Sequence, residues 1–133
     1  MKYLLLMNYE GGENCDQPMS TWPPEDIAAH IEFQQRLGKE LTDSGELVDA
    51  QGLSGPELAR IVTSDGHGAP VVTDGPFPES KEFLAGFWLV DVETPERAIE
   101  IAAKASSAPG PGGVPIKQPI HVRPLMSAPA TDV

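Results

Sequence analysis

The sequence predicts an α+β fold with two helices on one face of a mainly antiparallel sheet. Three observations support this prediction. Apolar segments of strand length recur along the chain, two segments open with a proline followed by acidic residues, and a glycine-rich turn joins two short β-type segments. The predicted order is strand, helix, strand, hairpin, strand, helix, strand. This order is typical of a ferredoxin-like sandwich.

The predicted strands cover residues 2–9, 46–53, 59–64, 69–73, 83–92 and 119–126. Residues 2–9 and 83–92 are apolar on both faces when their side chains alternate. A strand of this kind is covered on both sides. Because the helices cover one face only, we expect a second copy to cover the other, as in a symmetric homodimer.

The first predicted helix covers residues 24–44. It begins at Pro24, whose missing N–H costs nothing in the first turn, and ends before Gly45. Its predicted inward stripe comprises Ile27, His30 or Ile31, Gln34, Leu37 or Gly38, and Leu41. Thr94 is the predicted N-cap of the second helix. The apolar face of that helix is formed by Ala98, Ile101, Ala102 and Ala105.

Length and composition favour one cytoplasmic domain. The chain has 133 residues and a mass of 14.2 kDa, and Cys15 is the single cysteine, so no internal disulfide is possible. Nucleotide-binding loops and metal-binding cysteine pairs do not occur, so we expect no metal and no cofactor. The formal charge of −11 repels phosphate and anionic lipid, so we expect neither nucleic acid nor a membrane as a partner.

The run Thr73-Asp74-Gly75-Pro76-Phe77 resembles the DGPF motif of the YCII-related family. The opening at residues 1–6, the segment 45–48, the strand at 86–92 and the closing residues 122–126 are similar to that family in the same order. The resemblance covers residues 1–126 and leaves residues 127–133 as a flexible tail. It implies a ferredoxin-like fold that dimerises as an α/β barrel.

The resemblance also implies two kinds of function. Many DGPF members are encoded beside extracytoplasmic-function sigma factors. A few relatives in the wider family are enzymes, including dehydrochlorinases of chlorinated hydroquinones, which are thought to use a His–Asp pair. His121 stands in the final strand where an acidic or apolar residue is expected from the family.

Asp74 and His30 are the candidate catalytic residues. Gly75 and Pro76 restrict the backbone after Asp74 and would hold its carboxylate in place; the alternative is a turn carboxylate that caps backbone N–H groups. His30 lies on or beside the inward stripe, where it could form a general acid–base pair with a carboxylate. The alternative is a partly exposed histidine at the edge of the stripe.

Five further residues are candidate contacts for a substrate: Trp22, Gln34, Phe77, His121 and Arg123. Gln34 is polar on the inward stripe and needs a partner there. His121 and Arg123 share one face of the last strand and could hold an anion; the alternative is a solvent-facing edge strand. Trp22 and Phe77 could line an aromatic pocket or simply pack in the core.

Two hypotheses follow. In the first, the protein binds or transforms a small, aromatic or hydroxylated molecule in a pocket between the first helix and the sheet. In the second, it is a regulatory or interaction module of sigma-factor signalling, with a filled core and an exposed apolar patch beyond the dimer contact.

Overall fold

The computed structural model describes residues 1–8, 19–74 and 84–126. The strands are β1 (Lys2–Asn8), β2 (Leu47–Gly52), β3 (Arg60–Thr63), β4 (Val71–Asp74), β5 (Leu84–Asp91) and β6 (Ile120–Pro124), and the helices are α1 (Pro24–Asp43) and α2 (Pro95–Ser106). Single 3-10 turns lie at Met19–Thr21, Pro56–Leu58 and Pro111–Gly113. The predicted order and the α+β class are confirmed.

Four strands form the main sheet in the order β2-β5-β1-β6, with all neighbours antiparallel. In the pairing of β1 with β5, Tyr3 lies opposite Val90 and Leu5 opposite Trp88. These four side chains are buried and share the face that the helices cover.

The core lies between this face and the two helices. Its buried members are Tyr3, Leu5, Leu37, Leu41, Trp88, Val90, Val92, Ala98, Ile101, Ala102 and Ala105. The alanines of α2 are small, so this helix can approach the sheet closely. None of the described helices combines the length and apolar character needed to cross a bilayer.

The termini of α1 follow the sequence signals. Pro24 occupies the first turn together with Glu25 and Asp26, whose carboxylates suit the positive end of the helix dipole. At the other end, Gly45 adopts φ +80°. Its N–H donates to the Thr42 carbonyl at 3.1 Å, and the next N–H, of Glu46, donates to a carbonyl of the last turn at 2.9 Å. This is a Schellman ending, in which glycine supplies the left-handed residue.

The N-terminus of α2 is capped as predicted. Thr94 has an extended backbone and its Oγ1 accepts a hydrogen bond from the Arg97 N–H at 3.2 Å. This bond satisfies one of the N–H groups that the first turn leaves without a partner.

The second face of the sheet, which we call the open face, carries rows of side chains across the strands. One row reads Asp49, Leu89, Leu4 and Arg123 from β2 to β6, the next reads Gln51, Phe87, Leu6 and His121, and at the strand ends Asp91 pairs with Lys2. The four apolar side chains in the middle are half-buried, whereas the four polar ones at the edges are exposed.

Strands β3 and β4 form a separate two-stranded sheet. Val62 lies opposite Val72, and these residues are 58% and 53% exposed. A two-stranded ribbon by itself is marginally stable in water. The pairing of β3 with β4 confirms the predicted hairpin. Its apolar side chains lie at the surface.

Candidate functional site

The first half of α1 holds the candidate site. A 3-10 turn at Met19–Thr21 leads into Trp22, which is buried, and Pro23 and Pro24 then start the helix. His30 follows about two turns later and is the one buried polar residue in the described part of the chain, at 7% exposure. The rings of Trp22 and His30 meet edge to face, with centroids 5.4 Å apart and an interplanar angle of 87°.

A backbone carbonyl fixes the orientation of the His30 ring. The Nδ1 atom lies 2.9 Å from the carbonyl oxygen of Pro109. Because a carbonyl oxygen only accepts hydrogen bonds, Nδ1 carries the proton. In the neutral ring, Nε2 therefore presents a lone pair and can accept a proton or a hydrogen bond.

The Nε2 atom keeps contact with solvent. No hydrogen bond joins it to any described residue. Among the described residues, Nε1 of Trp88 is the one side-chain nitrogen or oxygen that is fully buried and has no hydrogen-bond partner. Nε2 of His30 also has no partner, so it is not fully buried. Nε2 of His30 therefore lies in a mostly buried ring but remains accessible.

The loop that supplies the Pro109 carbonyl is held by its own hydrogen bonds. The Gly110 N–H donates to Val114 at 2.8 Å, and the Ile116 N–H donates to Ala108 at 3.0 Å. A further bond, from the Gly112 N–H to Oδ2 of Asp26 at 3.1 Å, ties the loop to α1. These hydrogen bonds hold in place the loop that supports His30.

Two more polar groups lie along the same side of α1. Gln34 is half-buried one turn after His30. One further turn on, a Cβ on Gly38 would lie 3.8 Å from the Trp88 ring. The Nε1 donor of Trp88 is buried without a partner, which costs roughly 1–3 kcal/mol. The alternating pattern of β5 does not reveal this donor, because the orientation of an indole ring is not visible in a strand pattern.

Asp74 and His30 contact different groups. It is the last residue of β4, its side chain is 87% exposed, and Oδ1 lies 3.2 Å from Nε of Arg60. The DGPF run continues into residues outside the described part of the chain, and Phe77 is one of them. The structure thus gives the two candidate catalytic residues different partners, the carbonyl of Pro109 and the guanidinium of Arg60.

His121 and Arg123 lie on β6, at the edge of the open face, and both are exposed. They are cross-strand neighbours of Leu6 and Leu4. The helices cover the opposite face, so these two residues belong to a different surface from His30. In the described ranges, no group of three potential ligands is close enough to hold a metal ion.

The sequence profile of the YCII-related domain matches residues 1–114. The chain belongs to the YCII-related family. Among its relatives is an uncharacterized protein of Rhizobium meliloti, 29% identical over 113 residues, an alignment that covers 84% of this chain and 86% of the relative.

In this YCII-related protein one ion pair with two hydrogen bonds lies outside the candidate site. Arg97 of α2 binds Glu46 through two bonds, both of 2.9 Å, from Nε and from the terminal nitrogen. These hydrogen bonds lower the pKa of Glu46 from 4.5 to about 2, against the opposing effect of desolvation. The same contact raises the pKa of Arg97 further above its usual range. The pair joins the start of β2 to α2, so its role is structural.

Proposed function

We propose that this YCII-related protein binds a small organic molecule beside the first half of α1, with His30 as the polar group that contacts it. This proposal rests on the geometry of His30. Its ring is buried, its Nδ1 is fixed by the Pro109 carbonyl, and its Nε2 remains accessible with a lone pair. A ring oriented in this way is suited to accept a proton from a hydroxyl group or an activated C–H group.

The surrounding residues suggest the class of ligand. Trp22 presents an aromatic surface against His30, and Gln34 offers an amide one turn away. An aromatic ring with hydroxyl substituents would pack on Trp22 and form hydrogen bonds with Gln34. Asp74 is the second acid–base group of the proposal, and Phe77 is a proposed contact of the same ligand. His121 and Arg123 lie on the other face of the sheet, where we propose that they hold an anion rather than contact a ligand beside His30.

Binding is tested by NMR on the imidazole and indole signals. We would titrate hydroquinone and 4-hydroxybenzoate into the protein and follow the ring nitrogens of its histidines. The expected result is a shift of the His30 and Trp22 signals and no shift for His67, which lies in an exposed turn. The variant His30→Gln should abolish the Trp22 shift. Wild-type protein whose His30 signals do not respond to either compound would contradict the proposal.

Catalysis is tested separately with chlorohydroquinone as the probe and release of chloride as the readout. His30→Gln should abolish release. Asp74→Asn removes the charge while keeping the shape of the side chain, so a loss of rate without a loss of binding would assign Asp74 to the chemical step. Binding without any release of chloride would restrict the protein to a binding role for this compound.

The exposed hairpin favours a second candidate function, a contact with another protein. Val62 and Val72 form an apolar pair on β3 and β4 that no described residue covers. An extracytoplasmic-function sigma factor from the same genome is the partner to test first. Mixed with this protein, it should bind with an affinity that falls in Val72→Lys and stays unchanged in Thr73→Lys, on the opposite face of the ribbon. Equal loss in both variants, or no binding at all, would remove this candidate.

A further inference from the structure

We propose that the ligand of the His30 site is a phenol with an apolar substituent opposite its hydroxyl group, and that this substituent lies in a recess of the sheet above Gly52 and Gly86. His30 must bind the hydroxyl group, so this inference rests on the function proposed above. Three observations carry it: the pairing of β2 with β5, the position of α1 over that pair, and the direction of the accessible nitrogen of His30.

Two glycines lie opposite each other on the helix-covered face of the sheet. Ala50 pairs with Trp88, whose side chain is buried in the core, and Gly52 pairs with Gly86 two residues further along. Because side chains alternate between the faces, this second pair also faces the helices. No atom of a described residue lies within 4 Å of a Cβ placed on Gly52. The space above the pair, which we call the glycine recess, is therefore not filled from β2 or β5.

The walls of the glycine recess are apolar. The row before it carries the Trp88 ring, and on the β1 side the terminal methyl group of Met7 lies 3.1 Å from a Cβ placed on Gly86. Gly52 is exposed and β2 is an edge strand of the main sheet, so the recess is open to solvent on that side. An apolar group that enters it loses contact with water, which favours binding.

Helix α1 connects the glycine recess with His30. Gly38 lies over Trp88, and α1 runs opposite to β2, because the Schellman ending at Gly45 reverses the chain between them. Four residues of helix and two residues of strand both span about 6–7 Å. Gln34, one turn before Gly38, therefore lies at the level of the recess, and His30 lies one turn beyond it.

The accessible nitrogen of His30 faces the side of α1 on which the recess lies. Nδ1 is held by Pro109, in the loop that leads from α2 to β6, and β6 and β2 are opposite edges of the main sheet. The two nitrogens of an imidazole point away from each other, so Nε2 faces away from that loop and towards β2. The ring is 7% exposed, and no described residue forms a hydrogen bond with Nε2. A ligand that enters from the β2 side thus reaches a buried ring with an unused acceptor.

The distance between the two groups indicates the shape of the ligand. His30 and the glycine recess are separated by one helical turn, about 5.4 Å. A benzene ring with substituents in para positions spans a gap of this kind. Its hydroxyl group donates to Nε2, its ring packs beside Trp22, and the opposite substituent lies in the recess.

The test compares phenol with 4-propylphenol by NMR titration of the His30 ring signals. Wild-type protein should bind 4-propylphenol about tenfold more tightly, because each buried methylene raises the affinity several-fold. Gly52→Val fills the glycine recess and should remove this difference while leaving the affinity for phenol unchanged. The matched control is Gln51→Val, the neighbouring residue on the opposite face of β2, which should keep the tenfold difference.

The outcomes separate this inference from the function on which it rests. Wild-type protein that binds phenol, but 4-propylphenol no more tightly, overturns the recess and leaves the function standing; failure to bind either compound overturns both. A difference that persists in folded Gly52→Val, or disappears in folded Gln51→Val, also overturns the recess. Circular dichroism checks both folds.

A measurement on wild-type protein decides the question if a variant unfolds. In the complex with 4-propylphenol, nuclear Overhauser effects should join the propyl protons to the Hα protons of Gly52 and Gly86. Their absence at saturation would contradict the recess.

Discussion

At the scale of single residues, His30 shows how a backbone carbonyl decides the chemistry of a side chain. The spacing of α1 predicts that either His30 or Ile31 faces inward, and the structure selects His30, with Ile31 exposed. The spacing gives no sign of the Pro109 carbonyl, 79 residues away in the sequence, which holds Nδ1 of His30. The tautomer follows from that contact and not from the helix.

The same contact predicts a loss of stability. His30→Ala removes buried ring surface and leaves the Pro109 carbonyl without its donor, so the free energy of unfolding should fall by about 2 kcal/mol. Urea denaturation measures this value. His67→Ala, in the exposed turn, should change it by less than about 0.5 kcal/mol. Equal stability of His30→Ala and wild type would mean that the carbonyl contact contributes nothing.

A second residue-scale prediction concerns pH. The pKa of Glu46 is about 2 in the folded protein and 4.5 when unperturbed. Because the folded value is the lower one, the stabilisation by Glu46 is fully present above pH 4.5 and is lost as the pH falls from there towards 2. Solvent still reaches the pair, so we expect about 1 kcal/mol.

The measurement compares wild type with Glu46→Gln by urea denaturation near pH 7 and near pH 3. The difference between the two proteins should be largest at the higher pH and shrink at the lower one. Glu100→Gln is the control, because Glu100 binds the same arginine but is largely exposed. A difference that is independent of pH would show that Glu46 has an ordinary pKa in the folded protein.

At the scale of elements, two glycines inside regular structure differ in the room that is available for a side chain. Gly38 lies inside α1, where a Cβ would meet the Trp88 ring at an ordinary van der Waals distance of 3.8 Å. Gly86 lies inside β5, where a Cβ would come within 2.7 Å of the Gln51 carbonyl oxygen. The first site has room for a side chain and the second does not.

Gly38→Ala should therefore stabilise the protein by about 1 kcal/mol, since alanine favours the helix over glycine by this amount. Gly86→Ala should destabilise it by about 1–3 kcal/mol, because the pairing of β5 with β2 must shift. Thermal unfolding of both variants measures the two effects. A loss of stability in Gly38→Ala would show that the helix lies closer to Trp88 than the structure has it.

At the scale of the whole molecule, the acidic excess acts on stability. The chain carries 20 acidic and 9 basic residues, and an unbalanced charge of this size destabilises the compact state through self-repulsion. Salt screens that repulsion more than it weakens the close Glu46–Arg97 pair. The urea midpoint should therefore rise between low ionic strength and about 0.3 M NaCl. A fall would mean that local ion pairs outweigh the net charge.

The order of elements was predictable because it depends on local signals. Proline and acidic residues start both helices, Gly45 ends the first, and alternating apolar residues mark the strands. Each of these acts within a few residues of the chain, so it can be recognised without knowing what lies nearby in space. The same holds for the apolar face of α2, which the structure confirms residue by residue.

The candidate site depended on contacts between distant segments. The sequence singled out His30, Trp22 and Gln34, but not the loop that supports His30, because nothing in a proline- and glycine-rich run shows where its carbonyls point. It also named His121 and Arg123 as candidate substrate contacts, with a solvent-facing edge strand as the alternative. The structure puts them on the other face of the sheet. Strand order and register decide which face a residue of a strand occupies.

By itself, the sequence determined which segments become helices and strands, how they follow one another, and that two strands carry apolar residues on both faces. Local propensity and side-chain periodicity are properties of neighbouring residues, and they suffice for this. Only the tertiary structure decided which nitrogen of His30 is accessible, which donor stays unpaired in the core, and how opposite charges are arranged across the open face. Those features arise from pairings between residues far apart in the chain, and the pattern of any one segment does not contain its partner.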